Sequence, residues 1–386
     1  MRDARIVRPV KGVVRRLRRF AARYRPVPDL PPFPPAPETP VRLIAGPANF
    51  AGQAWTWSRA AERHLPDVGA VVFQLIRENL RFPADYEVPR PVYAHPYWQR
   101  RQQEYVTQHF THVLIDAMRP ILGPRGREDC APELPVLRRA GLDVALLAHG
   151  SEVRLPSRHA ERERWSPFHE WDDYAGRLER QAQRLGGIIN DFAGPTFVST
   201  PDLLVDVPRA TWLPVVVEPD RWAAPPPPPE RDKLVVLHVP SSARFKGSHH
   251  VDAAMEPLVR SGLVEYRRLE RVPHAELPAA VADADVVLEQ FVLGPYSVTA
   301  CEAMAASRPV VAYVSDQVRA HVKDATGRDL PVVQADPSDL TDVVAGLAAD
   351  RAGLRERGEA GRAFVTEVHD GRYSAEVLGR WLLSGK

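Results

Sequence analysis

Cysteine is almost missing from this sequence. Cys130 and Cys301 stand far apart in a chain of 386 residues, without a CxxC pair or the spacing of a zinc ligand set. That excludes a disulfide framework and points to a reducing, cytoplasmic setting. No run of about 18 apolar residues occurs, so no segment reads as a transmembrane helix. The N-terminus lacks the apolar core of an export signal. Gly-x-Ser-x-Gly, the Walker lysine loop, His-Glu-x-x-His and the adenine-type Gly-x-Gly-x-x-Gly are all absent, which removes the familiar hydrolase, P-loop, zincin and NAD readings. The His249-His250 pair and His109 with His112 complete no zinc set, and neither a metal nor a cofactor is expected.

What is there begins with an uneven distribution of charge. Residues 1–25 hold ten Arg or Lys against one Asp, so the remaining 361 residues carry 41 basic and 48 acidic side chains, a formal +9 head on a −7 body. Val10, Val13, Val14, Leu17, Phe20 and Tyr24 recur at helical spacing behind Pro9, with Arg15, Arg16, Arg18, Arg19 and Arg23 around them. The pattern predicts a basic amphipathic helix, suited to an anionic membrane surface, where each cation contributes about 1 kcal/mol. A disordered tail or a helix packed on a partner fits the same residues. The acidic body argues against nucleic acid.

Residues 26–40 (PVPDLPPFPPAPETP) hold too many prolines for a helix or inner strand and predict an extended, semi-rigid spacer. Beyond it, short apolar runs alternate with helical stretches: Val41 to Ala45, Ala70 to Leu75, His112 to Ile115, Val144 to Ala148, Gly187 to Ile189 and Thr196 to Val198. A second proline run, Pro225 to Pro229, precedes a fresh series at Lys233 to His238, Val264 to Arg267, Asp285 to Leu288, Pro309 to Tyr313 and Pro331 to Val333. Alternation of this kind predicts α/β architecture, with two parallel sheets flanked by helices. The expected organisation is a basic helix (1–25), a Pro-rich linker (26–40), an N-terminal Rossmann-like domain (41–215), an interdomain linker (216–232), a C-terminal Rossmann-like domain (233–370) and a C-terminal helix (371–386) that could cross back.

Two C-terminal segments carry the chemistry. In HVPSSARFKG (His238 to Gly247) a strand delivers Arg244, Lys246 and Gly247 to a helix start. Free helix amides with one or two fixed cations suit a diphosphate. In DVVLEQFVLGPYSVTACEAMAASRP (Asp285 to Pro309) a buried-strand run is followed by a turn and a helix bearing Glu302, whose carboxylate can accept from both hydroxyls of a ribose. Ser297 stands as the helix N-cap and directs the amides of Val298, Thr299 and Ala300 toward a phosphate. Glu289, at the strand end, is either a sugar contact or a solvated edge group.

These segments, with the turn at Val272 to His274 and the Arg-Pro-Val-Val run at Arg308 to Val311, resemble the family-4-type retaining glycosyltransferases of the GT-B fold over about 150 residues in order. The resemblance implies two facing Rossmann-like domains with a nucleoside diphosphate sugar between them. It implies Lys246 on the donor diphosphate, Glu302 on the ribose, and Arg271 and Val272 lining the base. Two departures stand out. Ser241 occupies the family's arginine position, leaving Arg244 as the nearest substitute. Gly294 occupies the position of the family's first glutamate, and Ser297 that of a glycine.

The N-terminal half is less specific. Gly46, Asn49, Gly52 and Gln53 lie in a small-residue loop after the first strand, where backbone could approach an acceptor or phosphate. His149, in His-Gly-Ser-Glu after the Val144 to Ala148 run, could meet a sugar hydroxyl or the reacting carbon, or could be structural. Asp116, at another strand end, reads equally well as a helix cap. The expected activity is sugar transfer from a UDP- or GDP-type donor to a saccharide or lipid-linked acceptor, at a peripheral position on the inner membrane face. The expected rival is a catalytically silent nucleotide-sugar-binding or scaffold protein.

Overall fold

A computed structural model describes residues 29–76, 82–125, 128–223 and 231–384. The predicted basic helix over 1–25 lies outside them.

The strands of the N-terminal half are β1 (Val41–Gly46), β2 (Val68–Leu75), β3 (Tyr86–Val88), β4 (His112–Asp116), β5 (Asp143–Ala148), β6 (Thr196–Val198) and β7 (Thr211–Trp212). They form one parallel sheet in the order β3-β2-β1-β4-β5-β6-β7. β2 and β4 are buried throughout, as an inner parallel strand covered by helices on both faces must be. The strands of the C-terminal half are β8 (Leu234–His238), β9 (Val264–Arg268), β10 (Val286–Leu288), β11 (Val310–Ala312) and β12 (Val333–Gln334), ordered β12-β11-β10-β8-β9. Strand order reverses between β1 and β4 in the first sheet and between β8 and β10 in the second. In doubly wound sheets the crevice beyond such switch points is where ligands bind.

Two sequence expectations change. Gly187 to Ile189 is not a strand but the last turns of the helix Asp173–Asp191; its apolar residues continue a helical stripe that buries Leu178, Ala182, Leu185 and Ile189. The short edge strands β3 and β7 carried no readable alternation. Over its described residues the proline segment forms neither helix nor strand and is a packed strap, because Phe33 has an apolar face to bury. Its ring stacks on Tyr105 at 4.6 Å, and Tyr105 donates to the Pro34 carbonyl at 2.7 Å.

The C-terminal helix Arg372–Leu382 packs on the helix Gln53–His64 of the other half, where a Cβ on Gly371 would sit 2.8 Å from that of Ala60. Cys130 and Cys301 are buried and free. Among the described residues no helix is long and apolar enough to cross a membrane.

Candidate active site

The C-terminal cluster is built at the switch point between β8 and β10. β8 ends at His238, whose buried ring spans both strands' exits: Nδ1–H donates to the Leu288 carbonyl and Nε2 accepts from Ser248 Oγ, each at 2.9 Å. Burial holds this imidazole neutral, its pKa lowered to about 4. The chain then turns through a short helix, Ala243–Lys246, and reverses at Gly247 with φ 68°. A Cβ at Gly247 would stand 2.8 Å from Val292 Cγ1, so both the backbone angle and the packing call for glycine. Lys246 is thereby aimed across to the end of β10. Its Nζ hydrogen-bonds Glu289 Oε1 and, at 3.0 Å, Ser297 Oγ.

Ser297 precedes the helix Val298–Ala305, yet its hydroxyl serves Lys246 and donates to Glu289 at 2.5 Å instead of capping the helix. The amides of Val298, Thr299 and Ala300 therefore begin the helix without a cap from Ser297, a ready partner for an anion. The preceding turn is shaped by Gln290. Its Oε1 accepts from the amides of Val292 and Leu293, and its Nε2 donates to the Pro295 carbonyl at 2.6 Å.

One turn into the same helix, Glu302 accepts from His274 Nε2 at 2.7 Å. Burial pushes the Glu302 carboxyl above its ordinary range, and the His274 hydrogen bond pulls the other way. His274 is flanked by Phe82 of the N-terminal half (5.2 Å) and Trp222 (5.8 Å), and its Nδ1 lies 3.4 Å from Arg221 Nη2. Arg271 is exposed at φ 58° and Val272 is half-buried, beside this cluster in sequence.

The N-terminal cluster sits at the other switch point, between β1 and β4. Asp116, fully buried at the end of β4, accepts from His149 Nε2 and from the Asn49 amide, both at 2.6 Å. Burial works against the His149 imidazolium, but the Asp116 charge and hydrogen bond outweigh it, so its pKa is raised. Glu152 anchors the loop by accepting from the amides of His149 and Gly150. The His149 ring lies parallel to Trp57 at 5.9 Å and edge-on to Phe50 at 5.3 Å.

The remaining residues of the small-residue loop are placed structurally. At Gly46 a Cβ would meet the Phe73 carbonyl at 2.4 Å, and at Gly52 the Phe82 ring at 3.0 Å. Asn49 spends its amide on Gln74 and the Pro83 carbonyl and its oxygen on the Trp55 amide. Gln53 is tied to the linker, accepting from Val216 N–H at 2.7 Å and donating to its carbonyl at 3.1 Å. Arg244 turns away from Lys246 to the N-terminal half, where it meets Asp172 at 2.6 Å and the Pro167 carbonyl at 3.0 Å. At Gly294 a Cβ would lie 3.6 Å from Glu163 Oε1 of the N-terminal half. Sequence reading missed Arg221, Phe82 and Glu163 altogether, since each joins the cluster from a segment distant in the chain. Among the described residues no group of three His, Cys, Asp or Glu is placed to hold a metal ion.

Two parallel sheets, each with its polar residues gathered at a switch point and with the C-terminal helix returning to the first, define the GT-B fold. No protein-family model matches the chain, and no curated protein sequence does. Among solved structures the chain is similar to sucrose-phosphate synthase from Thermosynechococcus elongatus (TM-score 0.58, 15% identity, 89% of this chain and 99% of that one). It is similar also to Anabaena HepE in complex with UDP-glucose (0.55, 12%, 89% and 99%). A third is WaaG, a glycosyltransferase involved in lipopolysaccharide biosynthesis (0.51, 13%, 88% and 98%). At such identities these likenesses establish the fold.

Proposed function

We propose that this protein transfers a sugar from a nucleoside diphosphate sugar to an acceptor hydroxyl with retention at the anomeric carbon, as a metal-independent hexosyltransferase. The observation that carries the reading is the convergence, at one switch point, of Lys246, the helix start after Ser297 and the buried Glu302. As the glycosidic bond breaks, negative charge grows on the departing diphosphate. Lys246 and the amides of Val298 to Ala300 stabilise it, serving where other transferases use a divalent cation. Glu302 exchanges His274 for the ribose hydroxyls, and the turn at Arg271 to His274 lines the base. His149, held by Asp116, faces the acceptor side. A saccharide or lipid-linked acceptor of the cell envelope fits both the sequence's basic head and the involvement of the structurally similar WaaG in lipopolysaccharide biosynthesis.

Calorimetric titration with UDP, GDP and ADP tests the reading. One nucleotide binds the wild type selectively, and Lys246→Ala and Glu302→Ala each weaken it about 10- to 100-fold, the worth of a lost charged hydrogen bond. Absence of binding by all three overturns the donor site. Gly294, standing where the resemblance has an acid, favours a second reading, a nucleotide-sugar-binding protein without transferase activity. Formation of an acceptor-dependent product decides against it.

A further inference from the structure

Glu289 is the least explained charge in the C-terminal cluster. It follows β10 directly, its side chain is 0% exposed, and it is not the solvated edge group that its position permits. Its two oxygens differ. Oε1 receives both Lys246 Nζ and Ser297 Oγ, while Oε2 is buried without a hydrogen-bond partner among the described residues. A buried acceptor left unmatched costs about 1–3 kcal/mol, more when charged. Among the described residues its ion pair is with Lys246, the cation that a donor diphosphate would engage. When a diphosphate takes a share of that ammonium, Glu289 needs hydrogen-bond donors more. The group next along the covalent chain from the diphosphate is a sugar, whose hydroxyls are such donors.

We infer that Glu289 is a specificity-determining contact to the transferred sugar: Oε2 accepts one sugar hydroxyl while Oε1 keeps Lys246 and Ser297 aligned on the phosphates. This rests on the nucleotide-sugar reading above. The acid is delivered by the strand end and not by the following turn, where Gly294 has no side chain. A buried carboxylate oxygen of this kind selects for a free hydroxyl at one ring position, because a deoxy or alkylated donor leaves it unmatched again.

The test compares Glu289→Gln and Glu289→Asp with the wild-type full chain. Calorimetry measures binding of whichever of UDP, GDP and ADP the wild type selects, then of its hexose conjugate (UDP-glucose, GDP-mannose or ADP-glucose). In Glu289→Gln the bare nucleotide binds as tightly as in the wild type or tighter, because Lys246 loses an anionic competitor, while the conjugate binds at least tenfold more weakly. Glu289→Asp keeps the charge but withdraws both oxygens, from Lys246 and Ser297 as well as from the sugar, and loses more affinity for the conjugate than for the bare nucleotide. On the wild type, monodeoxy analogues of the conjugate serve if neither variant folds: removal of one particular hydroxyl weakens binding at least tenfold. Equal changes for nucleotide and conjugate, or tolerance of every deoxy analogue, overturn the inference and leave Lys246–Glu289 as a structural ion pair. Failure of the wild type to bind any of the three nucleotides instead removes the donor-site reading beneath it.

Discussion

Lysine occurs five times among 51 basic residues, and Lys246 is the one placed between Glu289 and Ser297. An ammonium is a compact charge with three donors and can move from carboxylate to phosphate, whereas a guanidinium fork fixes one planar geometry. The Asp116–His149 pair is a second residue-scale device. Its parts lie 33 residues apart, so no local spacing announces it, and a strand-end Asp looks the same whether it caps a helix or orients a ring. Because the raised His149 pKa comes mainly from Asp116 working against burial, Asp116→Asn should lower the His149 titration midpoint. Histidine-resolved NMR checks this. The wild-type ion pair stabilises the fold below pH 6.5, and that contribution is lost as pH rises through the raised midpoint. If His149 acts in transfer, the variant should also lose about 10- to 100-fold in kcat, with its pH–rate profile displaced to lower pH.

At the scale of elements, the segment from Pro156 to Tyr174 joins the two halves. His159 Nε2 meets the Leu293 carbonyl at 3.2 Å, Tyr313 donates to Glu163 at 2.7 Å, Phe168 lies 5.9 Å from Phe245, and Arg244 pairs with Asp172. The sequence reading assigned Arg244 to the donor and overlooked this segment, because its contacts are made with residues 72 to 150 positions away. His159 gives it a pH signature. Burial, with Arg154 adding, lowers its pKa to about 4, so the folded state holds it neutral while the unfolded chain protonates near 6.5. Stability from this residue is complete above pH 6.5 and is lost as pH falls toward 4. Between pH 7 and pH 5 the wild type should lose up to about 2 kcal/mol through this group. His159→Gln should lack that component, as denaturant midpoints at the two pH values would show.

For the whole molecule, the halves are joined by the buried run Val215 to Val217, clamped by Gln53, and by the returning helix Arg372–Leu382. Trp381 on that helix is buried against His112 (5.3 Å) and Phe197 (6.0 Å) of the first sheet. Trp381→Ala should cost about 3–5 kcal/mol, the usual range for a large aromatic removed from a core. The loss should fall on the N-terminal half, so that calorimetry records its unfolding earlier than that of the C-terminal half. An unchanged single transition would show that the helix contributes no coupling.

The α/β alternation, the positions of the longer strands along the chain and the strand-loop-helix setting of Lys246 and Glu302 were determined by the sequence itself. Each depends on local periodicity, on turn residues, or on groups within a few positions of one another. Only the tertiary structure decided that Glu289 is buried with one oxygen unmatched, that His274 and Arg221 stand beside Glu302, that Asp116 holds His149, and that Arg244 faces the other half. These pairings join segments brought together by parallel crossovers. A parallel crossover separates neighbouring strands by a whole helix, and no spacing along the chain records which strand ends will meet.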